Sequence, residues 1–94
     1  MLKAVLNCVS STKDAKFGNH ATFYSNIIAN NNVVQYFTYH GNIICRVNWT
    51  RKEVLLTNAG YNTRSTNRAL NDYKQYFTQN HPTFTITDER EKTN

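Results

Sequence analysis

Acid–base chemistry needs two ionisable groups in one place, and this chain has few to bring together. Ahead of residue 88 its only carboxylates are Asp14, Glu53 and Asp72, and no spacing pairs two of them. Asp72 follows Arg68 by four residues and reads as a surface ion-pair partner on a helix. Glu53 follows a turn. His20, His40 and His81 each sit beside Asn or Gly, in segments that read as loops. His40 and Cys45 are too few for a zinc site without Cys8 and a further ligand, and no metal-ligand spacing is present. No P-loop, Gly-x-Ser-x-Gly or Rossmann pattern occurs. We therefore expect no enzymatic activity, no catalytic residues, no metal and no cofactor.

The residue types that remain are suited to binding. The formal net charge is +5, and three of the six acids, Asp88, Glu89 and Glu91, lie in the last seven residues. Residues 1–87 carry nine basic and three acidic groups, a net +6. A basic body attracts polyanions, although many soluble proteins reach this charge without such a partner. If residues 65–79 are helical, Arg64, Asn67, Arg68, Asn71 and Lys74 fall on one arc of the helical wheel, opposite the apolar stripe. Basic and amide side chains on one helix face can meet phosphates and base edges, and free amides at the helix start add an anion site. The same wheel also arises from amphipathicity alone. The tip Thr50-Arg51-Lys52 places two cations on a turn, where they can touch phosphates or simply be solvated. Tyr61 can stack on a base or pack beneath the helix.

Several elements must position these groups. Residues 2–9 alternate, with Ala4, Leu6 and Cys8 on one face, and read as a first strand. Residues 10–20 are polar and read as a loop. Over 21–29 the spacing of Ala21, Tyr24 and Ile28 favours a short helix, against the β-rich run Thr22-Phe23-Tyr24. Strands at 33–39, 43–49 and 53–57, joined by His40-Gly41-Asn42 and Thr50-Arg51-Lys52, form an antiparallel meander. Trp49 falls on the Ile43, Cys45 and Val47 side, the expected core side. The next element is a helix over about 65–79, capped by Thr63, Ser65 or Thr66 and stopped at Asn80-His81-Pro82. Its stripe of Ala69, Leu70, Tyr73, Tyr76 and Phe77 must lie on the sheet. Residues 83–87 alternate and read as a short strand that could pair at an edge, and 88–94 as a flexible charged tail. The fold class is α+β: an antiparallel sheet of four or five strands with one main helix on one face, in a single domain over 1–87.

The segment from Leu55 to Asn71 runs strand, Asn58-Ala59-Gly60 turn, Tyr61, a Thr/Ser-rich cap, then Arg64, Asn67, Arg68 and Asn71 at the start of a helix. Over about residues 36–78 the chain resembles a family of small uncharacterised phage proteins that share this hairpin, turn, cap and helix. Ala59 departs from the family, which often has a first Gly there. The resemblance implies a mobile-element origin and a small α+β fold, and it implies no activity. With it, the expected function is a phage-type inhibitor that docks on a host protein or nucleoprotein, such as a defence complex. Its expected surface is Arg51, Lys52, Tyr61, Arg64, Asn67, Arg68, Asn71 and Lys74, and the alternative is a regulator that binds nucleic acid directly through the same residues. A homodimer paired through sheet edges is compatible with either.

Cys8 and Cys45 sit in apolar alternations and suit buried free thiols. No run reaches the ~20 apolar residues of a membrane span, and the start lacks a cleavage pattern. The expected setting is the reducing cytoplasm, of the host cell if the chain is phage-encoded.

Overall fold

The computed structural model describes residues 1–27 and 31–91. In chain order the elements are α1 (Lys3–Ser10), β1 (Ala15–Phe17), β2 (His20–Ile27), β3 (Asn32–Tyr39), β4 (Asn42–Asn48), β5 (Glu53–Leu56), α2 (Arg64–Asn80) and β6 (Thr85–Asp88), followed by a 3₁₀ turn at Glu89–Glu91. The strands form one sheet in the order β1-β2-β3-β4-β5-β6. All neighbours are antiparallel except β5 and β6, which run parallel across α2. The fold is α+β as expected, with six strands in place of four or five.

Three sequence expectations are corrected. Residues 3–10 form α1, not a strand. Leu2, Val5, Cys8 and Val9 lie on one helical stripe packed into the core, so the two-residue alternation was incidental and the helical period governs. Residues 20–27 form β2, where a short helix was favoured for 21–29, and positions 28 and 29 lie outside the described residues. Here the β-rich Thr22-Phe23-Tyr24 prevails, because β2 is paired on both sides, to β1 and β3. The loop expected over 10–20 contains β1, which turns back at Gly18-Asn19 so that Phe17 faces His20.

The β3–β4 hairpin turns at His40 and Gly41, both with positive φ (50° and 79°). That is the signature of a two-residue turn whose twist matches the flanking strands. Cys45 pairs with Phe37 and Ile43 with Thr38, leaving Ile44 as an extra residue in β4. This bulge sets Ile44 and Cys45 together in the core and turns Ile43 outward, at 41% exposure. Ile43 was expected on the core side, and simple alternation fails there because it cannot anticipate a bulge.

Both helices pack on one face of the sheet. α1 lies on β1 and β2, α2 lies on β4 and β5, and the helices touch. The core joins Val5 and Cys8 to Phe37, Ile44, Cys45, Val47, Val54 and Leu56, and to Ala69, Leu70, Tyr73 and Phe77 of α2. Aromatic rings supply much of it: Phe37 lies 4.8 Å from Tyr73 and 6.3 Å from Phe77, and Trp49 lies 6.0 Å from Phe77. Both thiols are free and buried. Burial pushes each upward, so they stay protonated and act as packing groups.

One polar side chain is wholly buried at the centre. Gln35 Nε2 donates to Thr22 Oγ1 (2.8 Å) and to the Cys8 carbonyl (3.4 Å), and its Oε1 accepts from Trp49 Nε1 (3.0 Å). Thr22 Oγ1 in turn donates to the Tyr36 carbonyl. The amide thus ties α1, β2 and the end of β4 to β3.

Candidate binding site

α2 begins at Thr63, whose hydroxyl accepts from the Thr66 amide at 3.2 Å and so caps the first turn. Arg64 and Arg68 are exposed, and neither has an ion-pair partner among the described residues. The rest of the expected polar arc is engaged within the molecule. Arg90 Nη1 donates to Asn71 Oδ1 (3.0 Å) and to the Asn67 carbonyl (3.4 Å). Asn67 Nδ2 donates to Asn62, and Lys74 pairs with both Asp88 and Glu91.

Residues 88–91, expected in a flexible tail, therefore lie against α2. Asp88 is the anchor. Its side chain is 2% exposed and accepts from Arg90 Nη2 (2.7 Å), Arg90 Nε (2.9 Å), the Arg90 amide (3.0 Å) and Lys74 Nζ (3.4 Å). The Arg90 guanidinium holds the Asp88 carboxyl below its ordinary value. The Glu91 hydrogen bond raises Lys74.

The remaining expected residues are scattered. Arg51 Nε pairs with Glu53 at 3.3 Å, both half or more exposed, so the tip offers less free charge than two cations suggest. Lys52 turns the chain with φ 58°, and its carbonyl accepts from the Thr85 amide. Tyr61 is 55% exposed and lines a cleft of about 360 Å³ with Tyr39, His40 and the hydroxyls at the start of α2. Asp72, expected to pair with Arg68, instead accepts from the Leu2 amide at 2.7 Å and ties the start of α1 to α2. Among the described residues no three His, Cys, Asp or Glu side chains come together.

The sheet face away from the helices carries a surface that the sequence did not single out. Strand register aligns one row across it: Phe23 beside Tyr36, Tyr36 beside Arg46, Arg46 beside Leu55, and Leu55 beside Thr87. A second row runs Lys16, Ala21, Thr38, Ile43. The Phe23 and Tyr36 rings are stacked, with centroids 4.8 Å apart and planes 19° from parallel. Beside them a concave groove of about 330 Å³ is lined by Tyr36, Arg46, Leu55, Asn32, Asn48 and Arg51, among others, and by no residue of either helix. Arg46 is exposed and has no ion-pair partner among the described residues. Among the described residues that line the groove the only acid is Glu53, already paired with Arg51. Tyr36 and Arg46 sit at off-core positions of clear strands, so alternation alone could have found them. Phe23 was hidden by the helical reading of 21–29.

No protein-family model, curated protein or solved structure matches the chain. No helix among the described residues is long and apolar enough to cross a membrane.

Proposed function

We propose that the chain is a small non-enzymatic binding protein of the phage-inhibitor type, which docks on a host nucleoprotein or defence complex in the cytoplasm. The observation that carries this reading is the uncovered sheet face. Among the described residues the six strands have helices on one side only, and the other side presents a stacked aromatic pair, an arginine without an ion-pair partner and a groove. An exposed surface of this kind marks an interaction site. The resemblance of residues 36–78 to small phage proteins supports the origin. The helix arc, expected as the surface for docking and for direct nucleic-acid binding alike, loses support for both because Asn67, Asn71 and Lys74 are occupied by Asp88, Arg90 and Glu91.

Capture from a bacterial host lysate tests the proposal, with the wild-type chain and a Tyr36→Glu/Arg46→Glu variant as parallel baits. A nucleoprotein enriched by the wild type and lost by the variant is expected, and its activity should fall when the chain is added. Identical proteins on both baits would overturn the reading.

A further inference from the structure

The groove chemistry points to the component that is met. We infer that the concave sheet face is a platform for single-stranded nucleic acid. The inference rests on the docking reading above and names the part of the nucleoprotein that this face touches.

Three features favour a nucleic-acid strand. The first is charge. Arg51 and Glu53 neutralise each other, and Lys16 and Arg46, without ion-pair partners among the described residues, leave this side of the sheet net positive, which is complementary to a polyanion. The second is the ring pair. A two-ring stack can be extended by a further ring, and base–aromatic stacking tolerates any base because each has a π-face. Tyr36 belongs to both the stack and the groove wall, and its cross-strand neighbour is Arg46. A base beside Tyr36 would thus have its phosphate within reach of a guanidinium. The third is the polar character of the wall. Asn32 and Asn48 add amides that can meet base edges. A protein interface core is depleted of charged residues, whereas Arg46 and the Arg51–Glu53 pair line this groove.

Stacking selects the form of the nucleic acid. In a duplex the face of each base is covered by its neighbours, whereas an unpaired strand can lay a base against Tyr36.

Fluorescence anisotropy with labelled oligo(dT) and oligo(U) of about 12 nucleotides, and with a duplex of the same length, tests the inference across a salt series. The single strands should bind at least about tenfold more tightly than the duplex. Tyr36→Ala should weaken binding by about 5- to 150-fold, and Tyr36→Phe should restore it. Arg46→Gln should reduce the slope of log K against log salt by about 0.7, the contribution of one phosphate on a single strand. Lys3→Ala, a cation on α1, should leave affinity and slope unchanged. Urea midpoints of each variant separate lost binding from lost folding.

Equal affinity for duplex and single strand, or unchanged binding in folded Tyr36→Ala and Arg46→Gln, would overturn the inference. If no oligonucleotide binds while a nuclease-treated complex is still captured through Tyr36 and Arg46, the platform is refuted and the docking reading stands with a protein occupant. If neither is captured, both fall.

Discussion

Replacing Gln35 with Leu tests how the buried amide holds the sheet to α1. The side chain is fully buried, and Leu nearly conserves its volume. Two good hydrogen bonds disappear, to Thr22 Oγ1 (2.8 Å) and from Trp49 Nε1 (3.0 Å), each worth about 1 kcal/mol net. The third is long at 3.4 Å, and its acceptor, the Cys8 carbonyl, keeps the Ser11 amide as a donor. Thr22 still donates to the Tyr36 carbonyl. The group left unpaired is the indole N–H of Trp49, which is half-buried and adds about 1 kcal/mol. Burying Leu in place of an amide returns roughly as much, so the net loss is about 2 kcal/mol. For a chain of this size that lowers Tm by about 8–16 °C.

Gln35→Glu gives a sharper signature. A carboxylate can accept from Trp49 but cannot donate to Thr22, and burial raises its folded pKa above the unfolded value of about 4.3. Its contribution is therefore present below about pH 4 and lost as pH rises through the folded pKa. Urea denaturation followed by fluorescence of Trp49, the only tryptophan, reads both effects. Wild-type stability in Gln35→Leu, or a pH-independent difference between Gln35→Glu and wild type, would refute the reasoning.

Asp88→Asn should cost about 2–3 kcal/mol in urea denaturation, because it removes the charge from a buried acceptor of Arg90 and Lys74. The folded pKa of Asp88 is depressed, so its contribution is present above the unfolded value of about 3.9 and lost as pH falls through the folded pKa. Between pH 5 and 2 the wild type should lose stability more steeply than Asp88→Asn. His20 is 9% exposed with Nδ1 unpartnered, and burial, then His40, lowers its pKa. Its contribution is present above about pH 6.5 and falls as pH drops below that value, so His20→Phe should flatten the stability curve between pH 7 and 5. Ala59 holds φ at 54°, a conformation that costs an L-residue about 1–2 kcal/mol. Ala59→Gly relieves that strain and loses part of the gain to unfolded-state entropy, for a net stabilisation of about 0.5–1 kcal/mol by thermal denaturation.

The elements most legible in the sequence were those whose local signals agreed. β3 and β4 are rich in β-branched or aromatic residues, β5 is an apolar run, and all three are bounded by turns. In α2, the cap at Thr63 and the Pro82 stop coincide with an apolar stripe, of which Ala69, Leu70, Tyr73 and Phe77 are fully buried. α1 was misread because eight residues are too few for a period of two to be told from one of 3.6. β2 was misread because its character depends on β1 and β3, which local periodicity does not contain. The candidate surface was only half legible. Arg64 and Arg68 are exposed as expected, but Asp88 and Arg90 come to Asn67, Asn71 and Lys74 only because β6 pairs with β5, a contact between residues distant in sequence. The open-face row is likewise a product of register. Phe23, Tyr36, Arg46, Leu55 and Thr87 come from five strands and share no local spacing.

The strand order also bears on how the chain assembles. Each of β2 to β5 pairs with the strand before it through a short connection, so these contacts close small loops and can form early. The β5–β6 ladder must wait until α2 has bridged the two strands. It is only four residues long and lies at the sheet edge, and unlike the three-residue β1–β2 ladder at the other edge its strands are not held together by a tight turn. Unzipping should therefore start there. The amides of β6 should exchange with solvent before those of β3 and β4, and each such opening would free Lys74, Asn67 and Asn71 from the residues that occupy them.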